Sequence, residues 1–255
     1  MSVSNNNKTR SSSGGEGDSQ RRALFVFACL ITIVGWQFPW GRTVLYPFTL
    51  FATFVHEMGH GLAALVVGAN FDHLEINADG SGVAHWSGRV GSFSRAFIAA
   101  GGLVGPSIAG ALVLVLSRSG QNRVLMGALG VLILGSTLFW VRSLVGFALL
   151  VPWGAVLLLV SVKKPRLSPF ILQLLGAQLC LSIYRDVDYM FSEGALVDGV
   201  RLPSDTAAMA DALWLPYWFW GGLVAVFSLA VLGLGFYHAF KGGRPVSGER
   251  PPESA

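Results

Sequence analysis

Apolar residues run in long blocks along this chain, while polar residues collect at its two ends and in a few short breaks between blocks. A helix needs roughly 20 consecutive apolar residues to cross the hydrocarbon core of a bilayer. Stretches near that length occupy 23–41, 44–69, 96–117, 124–141, 143–162, 168–184 and 213–240. Backbone polar groups cannot be left unpaired in lipid, so the blocks predict helices, and the chain reads as an all-α polytopic membrane protein of about six to seven transmembrane helices. One polar interval breaks the pattern. "FDHLEINADGSGVAHWSG" (71–88) alternates Leu74 and Ile76 with polar neighbours, turns at Asp79-Gly80 and resumes with Val83, Ala84 and Trp86. That alternation predicts a small β-hairpin after the second block.

The ends follow different rules from this body. Residues 1–22 are rich in Ser, Asn and Gly and cannot bury enough apolar surface to offset ordering, so they are expected to be a disordered tail, as is 241–255. Residues 23–240 between them are expected to form a single domain. Arg21 and Arg22 resemble the start of a signal peptide, but a long block with no convincing small-residue cleavage site follows, which predicts an uncleaved first span.

Composition agrees: 53% of residues are hydrophobic, 13% are charged, and the mean hydropathy is +0.57. The net charge of +4 comes from basic residues scattered at helix ends, with no cluster suited to nucleic acid. Cys29 and Cys180 both sit in apolar blocks, which suggests neither a disulfide framework nor a thiolate zinc site. Arg21 and Arg22 put the N-terminus in the cytoplasm, and counting spans makes 70–91 cytoplasmic as well. Lys163, Lys164 and Arg166 also favour that side. Both sets fit only if one span between 96 and 162 is broken or re-entrant, or if the "VRS" break at 141–143 does not separate two spans.

Candidate chemistry centres on "TFVHEMGHGLAAL" (53–65). In a helix, His56 and His60 are four residues apart and share a face, with Glu57 three residues before His60. In this HExxH arrangement two imidazoles one turn apart can hold a zinc ion, and the glutamate can take a proton from the water it activates. An ionisable side chain at the middle of a membrane helix costs about 2.5–3.5 kcal/mol even on insertion scales, so such groups usually line a cavity or mark a functional path. Gly59, Gly61, Ala63 and Ala64 leave the helix surface open to close neighbours.

A catalytic zinc site takes three protein ligands and keeps one open position. Glu57 is the only carboxylate between residues 19 and 71, and there is none between 80 and 185. The third ligand must therefore come from Asp72, Glu75 or Asp79, or from Asp186, Asp188, Glu193, Asp198, Asp205 or Asp211. His73, His85 and His238 are less well placed. Asp186 and Asp188 end one span, where Arg185 can pair with them. Asp205 heads the next, where Ser204 can cap a helix and a first-turn acid suits the dipole. Asp205 is the preferred third ligand, with Asp188 and Asp186 as alternatives.

The motif and its setting resemble the site-two protease family of intramembrane zinc metalloproteases, particularly its short bacterial branch. "HEMGHG" carries the resemblance most specifically. "DGSGVAHW" (79–86), "AGGLVGPSIAGA" (100–111) and "SDTAAMA" (204–210) are similar to that branch more loosely. The resemblance implies that His56 and His60 are zinc ligands, that Glu57 is the catalytic base, and that an aspartate on a later helix completes the Zn2+ site. Better-known members carry an Asn-x-x-Pro pattern leading to Asp-Gly on that helix, and this chain does not.

Two further segments bear on access to the site. Gly101, Gly105 and Ala109 form a small-residue face for close helix packing, and Pro106 can kink that helix. The hairpin offers an edge strand that could pair with an extended peptide. Trp214, Tyr217, Trp218, Phe219 and Trp220 suit a membrane interface belt, though some of them could wall a cavity. The expected function is a membrane zinc endopeptidase acting on transmembrane or membrane-proximal proteins, in the bilayer of a bacterial inner membrane, with no nucleic-acid partner. The alternative is a non-proteolytic metal-binding scaffold or transporter that keeps the fold.

Overall fold

The computed structural model describes residues 26–27, 29–30, 32–197 and 199–240, so the tails expected at 1–22 and 241–255 lie outside the described residues, as does Asp198. Helical residues between 26 and 35 form α1. The order then runs α2 (Pro39–Val66), β1 (Asn70–Ile76), β2 (Gly82–Ser87), α3 (Ser92–Leu116), α4 (Asn122–Trp140), α5 (Leu144–Lys163), a 3-10 turn (Pro165–Leu167), α6 (Ser168–Met190), β3 (Gly194–Val197), β4 (Val200–Pro203), α7 (Asp205–Leu213) and α8 (Tyr217–Phe240). Among the described residues, five helices are long and apolar enough to cross a membrane: α3, α4, α5, α6 with its leading 3-10 turn, and α8. Helix α2, at 28 residues, carries the polar motif.

The helices begin and end where local chemistry demands. Pro39 opens α2, a first-turn position where its missing N–H costs nothing. The "VRS" interval does separate two helices, because Val141 and Ser143 are extended and the Ser143 side chain caps α5 by accepting from the Gly146 N–H. The apolar block expected at 213–240 starts later, at Tyr217. Trp214 adopts a left-handed conformation (φ 67°), and Pro216, which lacks a donor, cannot continue the preceding helix. Asp205 therefore heads a separate nine-residue helix rather than a span.

Small residues set the contact between α2 and α3. A Cβ on Gly59 would lie 2.3 Å from the Gly101 carbonyl oxygen, so the two backbones touch where the small-residue pattern predicts. Gly61, on another side of α2, accepts the Phe71 ring of β1 at a distance no side chain would tolerate.

The hairpin pairs Asn70 with Ser87 through Ile76 with Gly82, with a bulge between Phe71 and His73. It does not project beyond the end of α2. The Tyr46 hydroxyl donates to the Ala78 carbonyl, and Thr53 Oγ1 donates to the Gly80 carbonyl at 2.8 Å. The turn thus reaches back beside Thr53, about 20 Å along α2 from Val66 at 1.5 Å per residue. On its far side β1 docks on the interval between α4 and α5. The Arg142 N–H donates to the Leu74 carbonyl at 2.9 Å, and the Ile76 N–H donates to Ser143 Oγ at 2.8 Å. Leu74, Ile76 and Phe71 join Leu50, Phe51, Phe54, Val141 and Leu150 in one apolar core. A second core, with Ala96, Ala99, Met190, Met209 and Ala212, fixes α7 against α3 and α6.

Candidate metal centre

On α2, His56 and His60 lie one turn apart with ring centroids separated by 4.8 Å, and their Nε2 atoms approach to 3.1 Å. Asp205, 149 residues further on, meets both. Its Oδ2 is 3.0 Å from His56 Nε2 and its Oδ1 is 3.3 Å from His60 Nε2. Together the three offer ligand atoms that all lie within 4.8 Å of one another. Glu57 and His60 are buried, and His56 and Asp205 nearly so.

Hydrogen bonding around the cluster suits a cation. His60 Nδ1 lies 2.8 Å from the Ile98 carbonyl, an acceptor, so Nδ1 carries the proton and the neutral ring points a lone pair through Nε2. That lone pair faces a carboxylate oxygen and a second imidazole nitrogen. A neutral His56 supplies one proton at most to three converging acceptors, and a divalent ion would satisfy all of them. Imidazole and carboxylate donors also fit zinc chemically. Burial would by itself raise the Asp205 carboxyl, but in the metal-free site, once the His60 and His56 rings take up protons, their charge outweighs burial and holds it below the usual carboxylate range.

Two neighbours position Asp205. Ser204 caps α7 by accepting from the Ala207 N–H at 3.2 Å, and the Asp205 N–H donates to the Tyr189 hydroxyl at 3.1 Å. Tyr189 also packs edge-on toward His56, at 6.3 Å between ring centroids. The helix-capping role that sequence allowed for this segment and the approach of Asp205 to the histidines thus coexist.

Of the other carboxylates, Asp211 lines the same cavity without joining the cluster, and those of α6 and the hairpin lie elsewhere. Asp186 lies 3.5 Å from Arg185, and Asp188 lines a different pocket with Arg42 and Tyr46. The hairpin does fold back along α2, yet Asp79 accepts from Ser81, Asp72 accepts from Ser87, and Glu75 approaches His73.

A cavity of about 330 Å³ opens over the cluster, walled by β2, the start of α3, Tyr189, the end of β4, and α7. Glu57 faces it together with Gly82 and Ala84 of β2. The aromatic cluster at 214–220 contributes nothing to this wall, whereas Trp86 does. Two glycines that sequence reasoning passed over matter here. A Cβ on Gly102 would fall 2.1 Å from His60 Nε2, and one on Gly82 would fall 2.8 Å from Glu57 Cγ. Tyr189 was also missed, since a lone tyrosine near a span end carries no local signal.

A family model described as Peptidase M50B-like matches residues 25–235. No curated protein and no solved structure matches the chain.

Proposed function

The chain belongs to the Peptidase M50B-like family, and from that premise we propose that it is a membrane-embedded zinc endopeptidase that hydrolyses peptide bonds in or near the bilayer. The observation that supports this reading most is the convergence of His56, His60 and Asp205 beside the buried Glu57 at the floor of one cavity. His56, His60 and Asp205 would hold Zn2+, which when bound polarises a scissile carbonyl and acidifies water. Glu57 is the general base and acid. It accepts a proton from the attacking water as the C–O bond forms, then delivers a proton to the leaving amine nitrogen as the C–N bond breaks.

Strand β2 orients the substrate. One edge of it pairs with β1, while Gly82, Val83, Ala84 and Trp86 line the cavity. A substrate segment pulled out of helical form can lie extended along this strand and pair through its main chain, next to Glu57. The substrate is accordingly a transmembrane or membrane-proximal protein whose helix opens locally.

The test is cleavage of a single-span test substrate in detergent by protein carrying Glu57→Gln. Loss of cleavage with metal retained is expected, whereas cleavage at the parent rate contradicts the mechanism. Zinc-dependent cleavage by the parent also excludes the scaffold and transporter alternatives.

A further inference from the structure

A second group of ligating side chains stands on the hairpin, outside the cavity wall. His73 on β1 and His85 on β2 are direct cross-strand partners. Their rings stack at 4.2 Å between centroids with planes 10° apart. Glu75, two residues along β1, brings Oε1 to 3.5 Å from His73 Nε2. One donor atom from each of the three lies within 4.8 Å of the others.

The bulge between Phe71 and His73 creates this face. In an unbroken strand Phe71, His73 and Glu75 would point the same way. The extra residue shifts the alternation, so that Phe71 joins Leu74 and Ile76 among the buried residues while His73 and Glu75 stay partly open beside the exposed His85. Bulges re-aim side chains in this manner. Asp72, whose carboxylate accepts from Ser87 Oγ, is not part of the group.

We propose that His73, His85 and Glu75 form a second site for a divalent transition-metal ion of the zinc class, clamped across the hairpin. Two imidazoles and one carboxylate are donors that zinc accepts, and in tetrahedral geometry with bonds near 2.0–2.1 Å its ligand atoms lie roughly 3.3–3.4 Å apart. One pair is already near that separation, and side chains 32% and 44% exposed at His73 and Glu75 have room to close the remainder. The site is weaker than the buried one, because its side chains are not held by packing. Bound metal ties β2 to β1 at the residue that follows Ala84, which lines the same cavity as Glu57. Occupancy therefore stiffens the strand that flanks the catalytic cavity.

The test is calorimetric titration of Zn2+ into metal-free protein cleaved from any polyhistidine tag. The parent is expected to take two equivalents. His85→Ala and Glu75→Gln should each keep the tighter one and weaken the other by more than roughly 100-fold, beyond the ~10–100-fold that removing an outer-shell partner commonly causes. His60→Ala should instead keep the hairpin equivalent. Zn2+ should also shield His73 and His85 of the unsubstituted protein from diethylpyrocarbonate, read by mass spectrometry. The proposal is overturned if His85→Ala titrates like the parent or if Zn2+ leaves the two histidines equally reactive. A titration altered by His85→Ala but unaffected by His60→Ala would sink the buried centre and leave the hairpin site standing.

Discussion

Two side chains of the buried cluster are positioned by neighbours outside it. His60 is aimed by the Ile98 carbonyl, and Asp205 by Ser204 and Tyr189. Residues acting as acid and base commonly contribute about 10²–10⁴-fold in rate, so Glu57→Gln should lower cleavage by that range while leaving the metal in place. Gly102→Ala should instead act through the metal. Its new Cβ would overlap His60 Nε2, so metal content measured by plasma mass spectrometry should fall together with activity. Tyr189→Phe removes the oxygen that the Asp205 N–H bonds, and should lower metal affinity more than it changes cleavage by fully loaded enzyme. At this scale the HExxH spacing was legible without coordinates, since helical periodicity alone puts His56 and His60 on one face. The choice of Asp205 over Asp186 and Asp188 was only narrowed by sequence. All three sit at helix ends with plausible local partners, and only tertiary packing brings one of them to the histidines.

Among the elements, the hairpin and α7 do most to build the site. Alternation of Leu74 and Ile76 with polar residues made the hairpin readable, and Asp79-Gly80 marked its turn, where Gly80 has a φ of +93°. Its direction was not readable. Nothing local says that the strands fold back along α2, because Thr53 and Tyr46 on one side and Arg142 and Ser143 on the other hold it there. Ser143 serves twice, capping α5 and accepting from the Ile76 N–H. Ser143→Ala leaves that donor without its partner, and the cost of about 1–3 kcal/mol for a buried unsatisfied group should appear as a lower thermal midpoint in detergent. The break at Pro216 was visible in the sequence too, but a continuous apolar run masked it. The short α7 therefore merged with α8 when only hydropathy was followed.

For the whole molecule, a spanning bundle assembles a site from segments 149 residues apart, which small-residue contacts between α2 and α3 and the apolar contacts of α7 make possible. Long apolar blocks made the helical membrane architecture plain, whereas the path of the chain between blocks depended on contacts that no window of sequence contains. Metal held as proposed, by His56, His60 and Asp205 from both ends of that path, would stabilise the folded state by mass action, about 2.7 kcal/mol at a free concentration 100 times the dissociation constant. Chelation should accordingly lower the thermal midpoint of the parent and leave that of His56→Ala nearly unchanged. The most direct measurement is the zinc retained by tag-free protein after exhaustive dialysis, which empties the weaker hairpin site. The parent and Asp188→Ala should each keep about one equivalent and Asp205→Ala almost none. Retention by Asp205→Ala equal to that of the parent would contradict the account.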